Sequence, residues 1–148
     1  VPSIKPTPKL SPKPSPSPLA TPTTFDIDIQ EVILSTAPYA ANSGWNGVID
    51  AKSSHDLTLE KRGMPYSVTV MARNNGHEPA ENIHFDVEVD GKTTFFIKDK
   101  IDQQSAHRER IVELPDDDKR HEVKVHVWQD KPESNSNNNF YNFTYQIK

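Results

Sequence analysis

The stretch VTVMARNNGHEPAENIHFDVEVDG, residues 68–91, decides the fold of this 148-residue chain. Apolar and polar side chains alternate on either side of a central Asn-Asn-Gly, which is the pattern of two β-strands that each bury one face. The turn-forming residues between them predict a connection, and Asp90-Gly91 predicts a tight hairpin into the next strand. The predicted inward positions are Tyr66, Val68, Val70 and Ala72 in the first strand, and Ile83, Phe85, Val87 and Val89 in the second.

The same alternation continues outward from this stretch, and no window shows a sustained helical stripe. A strand beginning at Phe25 changes parity between Ile29 and Val32, which predicts a β-bulge near Gln30–Glu31. Residues 35–54 contain proline, glycine and many small polar residues, so we predict a long loop there. Further strands are predicted at 57–59, in KTTFFIK (92–98), at 111–114, in HEVKVHVW (121–128) and in YNFTYQI (141–147).

These segments amount to seven or eight short strands with one apolar face each. Two antiparallel sheets packed face to face bury such faces best, so the predicted fold is all-β, an immunoglobulin-like β-sandwich. The chain contains no cysteine, which excludes disulfides, thiolate metal sites and cysteine nucleophiles. A domain of this size buries enough surface to be stable without such cross-links.

Residues 1–24 differ sharply in composition from the rest of the chain. They hold eight of the 13 prolines together with eight Ser and Thr residues. Proline favours extended polyproline-II geometry, and so few apolar side chains cannot offset the entropy of ordering. We therefore predict a disordered or extended linker or stalk over 1–24 and a sandwich domain over 25–148. The hydroxyl groups suit O-linked sugars, and a ligand for a proline-reading module is the alternative, because proline recurs at every second residue from Pro12 to Pro18.

Charge divides at the same boundary. Residues 1–24 carry three lysines and no acid, so a net charge of −4 for the chain leaves −7 on residues 25–148. An acidic domain lacks the basic patch that nucleic acid binding requires, so no nucleic acid partner is expected. No apolar run is long enough for a membrane span, and the first residues do not look like a signal peptide. Either an export signal has been removed or the protein is intracellular.

The run 68–91 also resembles the V-x-V-x-x-x-N-x-G-x-x-x-A signature of CARDB domains, the cell-adhesion-related domains of bacteria and archaea. HEVKVHVWQDKPESNSNNNF, residues 121–140, is similar to the later half of that family, where a V-x-V-D strand precedes a turn of the form E-x-N-E-x-N-N. This chain departs from the pattern at Trp128-Gln129-Asp130 and at Ser136. The resemblance spans about residues 25–148.

The resemblance implies an immunoglobulin-like fold in proteins exposed on prokaryotic surfaces, where such domains act as repeated spacers or adhesion modules. It implies no catalytic residues. The sequence itself agrees, because it contains no HExxH, GxSxG or glycine-rich phosphate loop. His121 and His126 are five residues apart on opposite faces of one strand, so that strand alone cannot direct both to one metal. We expect a protein that is not an enzyme.

Acidic residues suggest calcium at two places. One strand face is lined by His84, Asp86, Glu88 and Asp90. Successive residues on the same face lie about 6.6 Å apart, which is too wide for them to bind one ion. A solvated strand face is therefore the better interpretation. Asp130 and Glu133 lie in a loop, which is able to wrap around an ion, and they are the predicted ligands of a Ca²⁺ ion. Ordinary turn chemistry is the alternative for this loop.

Trp128 has outward parity on its strand, and Trp45 falls in the long loop. Exposed tryptophans stack on sugar rings, so both are candidate ligand-binding residues, although each also suits a role in covering the edge of the core. Asn142 begins the sequence Asn-Phe-Thr, an N-glycosylation acceptor, and also has outward parity.

Together these features predict a non-catalytic cell-surface or cell-wall module for adhesion, spacing or assembly. Its partners would be other surface proteins, copies of itself or glycans. The alternatives are a carbohydrate-binding module of a secreted enzyme, or a filament or surface-layer subunit that assembles through strand edges. The last strand, 141–147, is one edge predicted to pair with a neighbouring chain.

Overall fold

A computed structural model describes residues 25–36, 48–133 and 136–148. The predicted stalk 1–24 and Trp45 lie outside these residues. The described part forms nine strands and two short 3-10 helices, Ala51–Ser53 and Ser136–Asn139. The strands are β1 (Ile27–Ser35), β2 (Ile49–Asp50), β3 (Asp56–Leu59), β4 (Ser67–Asn74), β5 (Ala80–Val89), β6 (Lys92–Ile101), β7 (Ala106–Glu113), β8 (Arg120–Trp128) and β9 (Phe140–Ile147).

The strands form two sheets, which confirms the predicted sandwich. Sheet A has the order β2-β1-β4-β7, and sheet B has the order β3-β9-β8-β5-β6. All neighbours are antiparallel except β3 and β9, which run parallel. The chain passes through most of the domain between these two strands, so the long connection that a parallel pair needs is available.

The core is formed by the inward side chains of both sheets, as the alternating pattern predicts. Phe85 and Val87 of β5 are fully buried, and so are Val68 and Val70 of β4. On β8 the predicted inward residues Val123, Val125 and Val127 are buried, and on β9 so are Phe143, Tyr145 and Ile147.

Two local predictions are confirmed in detail. The ladder between β1 and β4 slips between Ile29 and Glu31, so Gln30 is the extra residue of a bulge that keeps the apolar residues on both sides of it inward. The β5–β6 hairpin turns at Asp90 and Gly91, with φ of 48° and 88°. Positive φ at both central residues is the requirement of a type I′ turn.

The Asn-Asn-Gly motif has a structural role at the crossover from sheet A to sheet B. Asn74 is fully buried. Its Nδ2 donates to the carbonyl oxygens of Glu78 (2.8 Å) and Ile101 (3.0 Å), and its Oδ1 accepts from the backbone N–H of Gly76 (2.9 Å). The motif therefore satisfies the backbone of a turn that would otherwise bury unpaired polar groups.

Two expectations need correction. The predicted loop 35–54 holds regular structure at both ends, because β1 continues to Ser35, while β2 and a 3-10 helix occupy residues 49–53. Its middle part, 37–47, lies outside the described residues. The last strand is not an edge: β9 lies between β3 and β8 and is hydrogen-bonded on both sides. Its alternating apolar residues are equally compatible with an edge and an interior position, so the pattern alone does not distinguish them.

Candidate functional site

The outer surface of sheet B carries a continuous set of aromatic and apolar side chains. Register places His84 of β5 between Ile97 of β6 and Trp128 of β8. In the next row, Asp86 of β5 lies between Phe95 of β6 and His126 of β8, and His126 lies opposite Phe140 of β9. We call this surface the aromatic face, formed by His84, Phe95, Ile97, His126, Trp128 and Phe140.

Four of these rings stack in an almost parallel run across three strands. The ring centroids of His84 and Trp128 are 3.9 Å apart at an interplanar angle of 14°, and those of His126 and Phe140 are 4.0 Å apart at 9°. His126 and Trp128 connect the two pairs at 6.2 Å and 23°. Each ring restricts its neighbours, so the face is preorganised.

Three side chains of the aromatic face project into solvent. Phe95 is 64% exposed, Phe140 56% and Ile97 41%. Soluble monomers rarely leave contiguous apolar surface exposed without a use for it, and such patches mark sites of interaction.

A shallow groove of about 360 Å³ lies beside the aromatic face, and His126 and Phe140 of that face line it. The indole N–H of Trp128 donates to Oδ2 of Asp86 at 2.7 Å, which fixes a carboxylate at the groove. Burial lowers the pKa of His126 and outweighs the charge of Asp86, so this ring is preferentially neutral. The groove is lined mainly by Asp86, Glu88, Thr93, Lys124, His126, Phe140 and Asn142.

Two of the site residues predicted from the sequence, Trp128 and Asn142, lie on this surface and differ in exposure. Trp128 points outward as predicted, but it is half-buried and His84 covers one face of its ring. Asn142 is exposed at the groove, opposite Lys124. The alternating pattern did not identify Phe95, Ile97 and Phe140 as exposed residues. The two adjacent phenylalanines of β6 leave open which one is buried, and Phe140 lies one residue before the predicted strand.

The predicted metal ligands lie in the β8–β9 loop. Asp130 is exposed. Glu133 is half-buried, and its carboxylate accepts from the backbone N–H of Ile27 (2.7 Å) and from the side-chain amides of Gln129 (3.4 Å) and Asn139. Burial raises the pKa of Glu133, and these hydrogen bonds only partly offset that effect. Within residues 25–36, 48–133 and 136–148, no group of three or more His, Cys, Asp and Glu side chains is arranged to hold a metal ion.

A second polar cluster lies at the other end of β8. His121 is buried, with ring nitrogens 2.5 Å from Asp90 and 2.7 Å from Asp117, and its ring stacks on Tyr145 at 5.0 Å. This cluster joins the β5–β6 turn to the segment that enters β8.

The fold is similar to that of a solved structure. A CARDB domain from Pyrococcus furiosus, solved in complex with di-metal ions, is similar to this chain with a TM-score of 0.58 and 12% identity. The match covers 84% of this chain and 90% of that domain. The resemblance predicted from the sequence is therefore confirmed at the level of the fold. No family model matches the chain, and no curated protein matches it in sequence.

None of the helices among the described residues has the length and apolar character that a membrane span requires.

Proposed function

We propose that the protein is a non-catalytic extracellular module for adhesion and assembly at a cell surface or wall, and that two copies bind each other through the aromatic face. The observation that carries this proposal is the exposure of Phe95, Ile97 and Phe140 beside the stacked rings. The CARDB-like fold supports it, because domains of that kind are named for cell adhesion. The Pro/Ser/Thr-rich stalk predicted for residues 1–24 would hold such a domain away from the surface.

The order of residues across sheet B allows two copies to meet through the aromatic face. In a two-fold arrangement with the axis along the strands, midway between β5 and β8, β5 of one copy lies over β8 of the other. The residue order in each row then brings Glu88 opposite Lys124 and Asp86 opposite His126, while Phe95 meets Phe140. Face-packed sheets lie about 10 Å apart, a distance that these side chains span.

The first test measures oligomeric state by sedimentation velocity over a range of protein concentrations. We expect concentration-dependent dimers of the full chain, and loss of dimers in Phe95→Ser and Phe140→Ser. Met64→Ser is the matched control, because Met64 is 49% exposed but lies outside the aromatic face. A wild-type protein that stays monomeric at millimolar concentration would contradict homotypic assembly.

A charge-exchange experiment tests the arrangement itself. Glu88→Lys and Lys124→Glu each place like charges opposite one another in a homodimer, so each variant alone should remain monomeric. An equimolar mixture should dimerise, because one variant then presents two lysines at these positions and the other presents two glutamates, so that every facing pair is of opposite charge. Misfolding of either variant cannot produce this recovery. If circular dichroism shows that both variants are folded, the absence of recovery refutes the proposed packing.

A glycan array distinguishes the remaining alternative. Glycan hits that vanish in Phe140→Ser, from a protein that remains monomeric, would identify a carbohydrate-binding module in place of an assembly module. A monomer without glycan hits would leave only the role of spacer.

A further inference from the structure

The corner where β1 begins holds a group of oxygen atoms that lack donors. Oε1 of Gln129, Oδ1 of Asn138 and Oδ1 of Asn139 are buried without a hydrogen-bond partner. The residues Gln129 and Asn139 are only 7% and 2% exposed. A buried acceptor without a donor is destabilising, so each of these oxygens needs a physical explanation.

The same corner holds two carboxylates, and each of these three amides turns its NH₂ group toward one of them. Gln129 and Asn139 donate to Glu133, and Asn138 donates to Oδ1 of Asp26 at 3.0 Å. The charge of Asp26 also acts on Glu133, so the two acidic side chains are close enough to repel each other. The corner therefore combines two carboxylates with three amide oxygens that face away from them and have no donor.

We propose that Asp26, Gln129, Glu133, Asn138 and Asn139 form a calcium site that joins the start of β1 to the β8–β9 loop. The proposal does not rest on the function proposed for the aromatic face. It retains Glu133 from the sequence prediction and replaces the exposed Asp130 with Asp26, which lies more than a hundred residues earlier in the sequence.

The chemistry of the donor set selects calcium. Two carboxylates and three amide carbonyls offer up to about seven oxygens, within the six to eight that Ca²⁺ takes, and Ca²⁺ tolerates irregular geometry. Mg²⁺ requires a nearly ideal octahedron and retains water, and softer metals prefer nitrogen or sulfur ligands. Rotation of each side-chain amide by 180° would turn its oxygen, in place of its NH₂ group, toward the carboxylates. Carboxylate and carbonyl oxygens would then surround one ion.

Calcium binding is measured on the full chain by isothermal titration calorimetry and by thermal unfolding, after dialysis against a chelator. We expect a binding heat with CaCl₂ and a rise in Tm of about 5 °C or more at saturating Ca²⁺, because a ligand that binds only the folded state stabilises it. MgCl₂ at the same concentration should have a much smaller effect. No heat and no shift in Tm with CaCl₂, or equal responses to both metals, would overturn the assignment.

Variants locate the site. Asp26→Asn and Glu133→Gln should each weaken calcium affinity by about tenfold or more, whereas Asp130→Asn should leave it unchanged. Asp26→Asn carries the test if Glu133→Gln proves unstable, because the Glu133 carboxylate also accepts the backbone N–H of Ile27 and its loss affects the fold. Loss of binding in Asp130→Asn with retention in Asp26→Asn would place the ion elsewhere and refute this site.

NMR provides a readout that a merely structural role would not change. Calcium should shift the side-chain NH₂ resonances of Gln129, Asn138 and Asn139, because each NH₂ group would lose its carboxylate acceptor. A binding heat without movement of these resonances would also refute the site.

Discussion

Nδ1 of His121 lies 2.5 Å from Oδ2 of Asp90, which joins the start of β8 to the turn between β5 and β6. The second carboxylate, Asp117, contacts the other ring nitrogen. Burial acts to lower the pKa of His121, but the hydrogen bonds and charges of both aspartates outweigh it and raise that pKa above 6.5. The hydrogen bond with His121 lowers the pKa of Asp90 below 3.8. The backbone N–H of Lys119, followed by His121, lowers the pKa of Asp117 in the same way.

These shifts predict a pH window for stability. The raised pKa of His121 stabilises the fold fully below pH 6.5, and this stabilisation is lost as pH rises through the pKa of the folded state. The lowered pKa of Asp90 stabilises the fold above pH 3.8, and this stabilisation is lost at lower pH. We expect the free energy of unfolding, measured with urea, to fall as pH rises above 6.5 for the part that His121 contributes.

The control for this prediction is His121→Gln, which has no titrating ring. His126 acts in the opposite direction, since its lowered pKa gives stability that is lost as pH falls below 6.5. The quantity to compare is therefore the difference in free energy of unfolding between wild type and His121→Gln at each pH. Identical pH dependence of the two proteins between about pH 6 and 8 would show that the contact carries no net stability.

The core and the aromatic face should respond differently to loss of a phenyl ring. Phe85 is fully buried and Phe95 is 64% exposed, although both belong to sheet B. Phe85→Ala should reduce the free energy of unfolding by about 3–5 kcal/mol, because it leaves a cavity. Phe95→Ala should change it by no more than about 0.5 kcal/mol. A large loss of stability in Phe95→Ala would mean that this ring supports the domain itself.

The bulge in β1 predicts a tolerated deletion. Removal of Gln30 brings Ile29 and Glu31 into consecutive positions opposite Ala72 and Met71, so the ladder becomes regular and the inward residues stay inward. Removal of Asp28 instead turns Ile27 toward the opposite face of the sheet. We expect cooperative thermal unfolding for the first deletion and a much lower Tm for the second. Equal loss of stability would show that the bulge is itself required.

The β5–β6 turn predicts a backbone penalty at Gly91. Its φ of 88° is unfavourable for residues with a Cβ, although no atom lies within 4 Å of where that Cβ would stand. Gly91→Ala should therefore cost about 1–2 kcal/mol through backbone strain alone. Gly91→Asn should cost less, because asparagine tolerates positive φ. Urea unfolding of both variants checks the order.

Local patterns in the sequence predicted most of the strands correctly. The change of parity between Ile29 and Val32 located the bulge, and Asp90-Gly91 located the hairpin, because both depend on neighbours in the chain. Non-local pairing was not predictable in this way. The parallel contact of β3 with β9, and hence the interior position of β9, depends on segments far apart in sequence.

The residues of the candidate sites also divide into those that local sequence patterns predict and those that depend on distant segments. The outward parity of Trp128 and His126 was readable from one strand, whereas the stacking of His126 on Phe140 depends on the register between two strands. Glu133 was predicted as a metal ligand from its loop alone, whereas the contact of Asp26 with Asn138 depends on segments more than a hundred residues apart.

The interior position of β9 affects how this domain is made. Until residue 147 has left the ribosome, β3 and β8 are separated by an open slot, and both present unpaired backbone groups. Sheet B therefore closes in one late step after synthesis of the last strand. During that interval the slot is able to accept β9 of a neighbouring nascent chain, so strand exchange between copies is a misfolding hazard of this molecule.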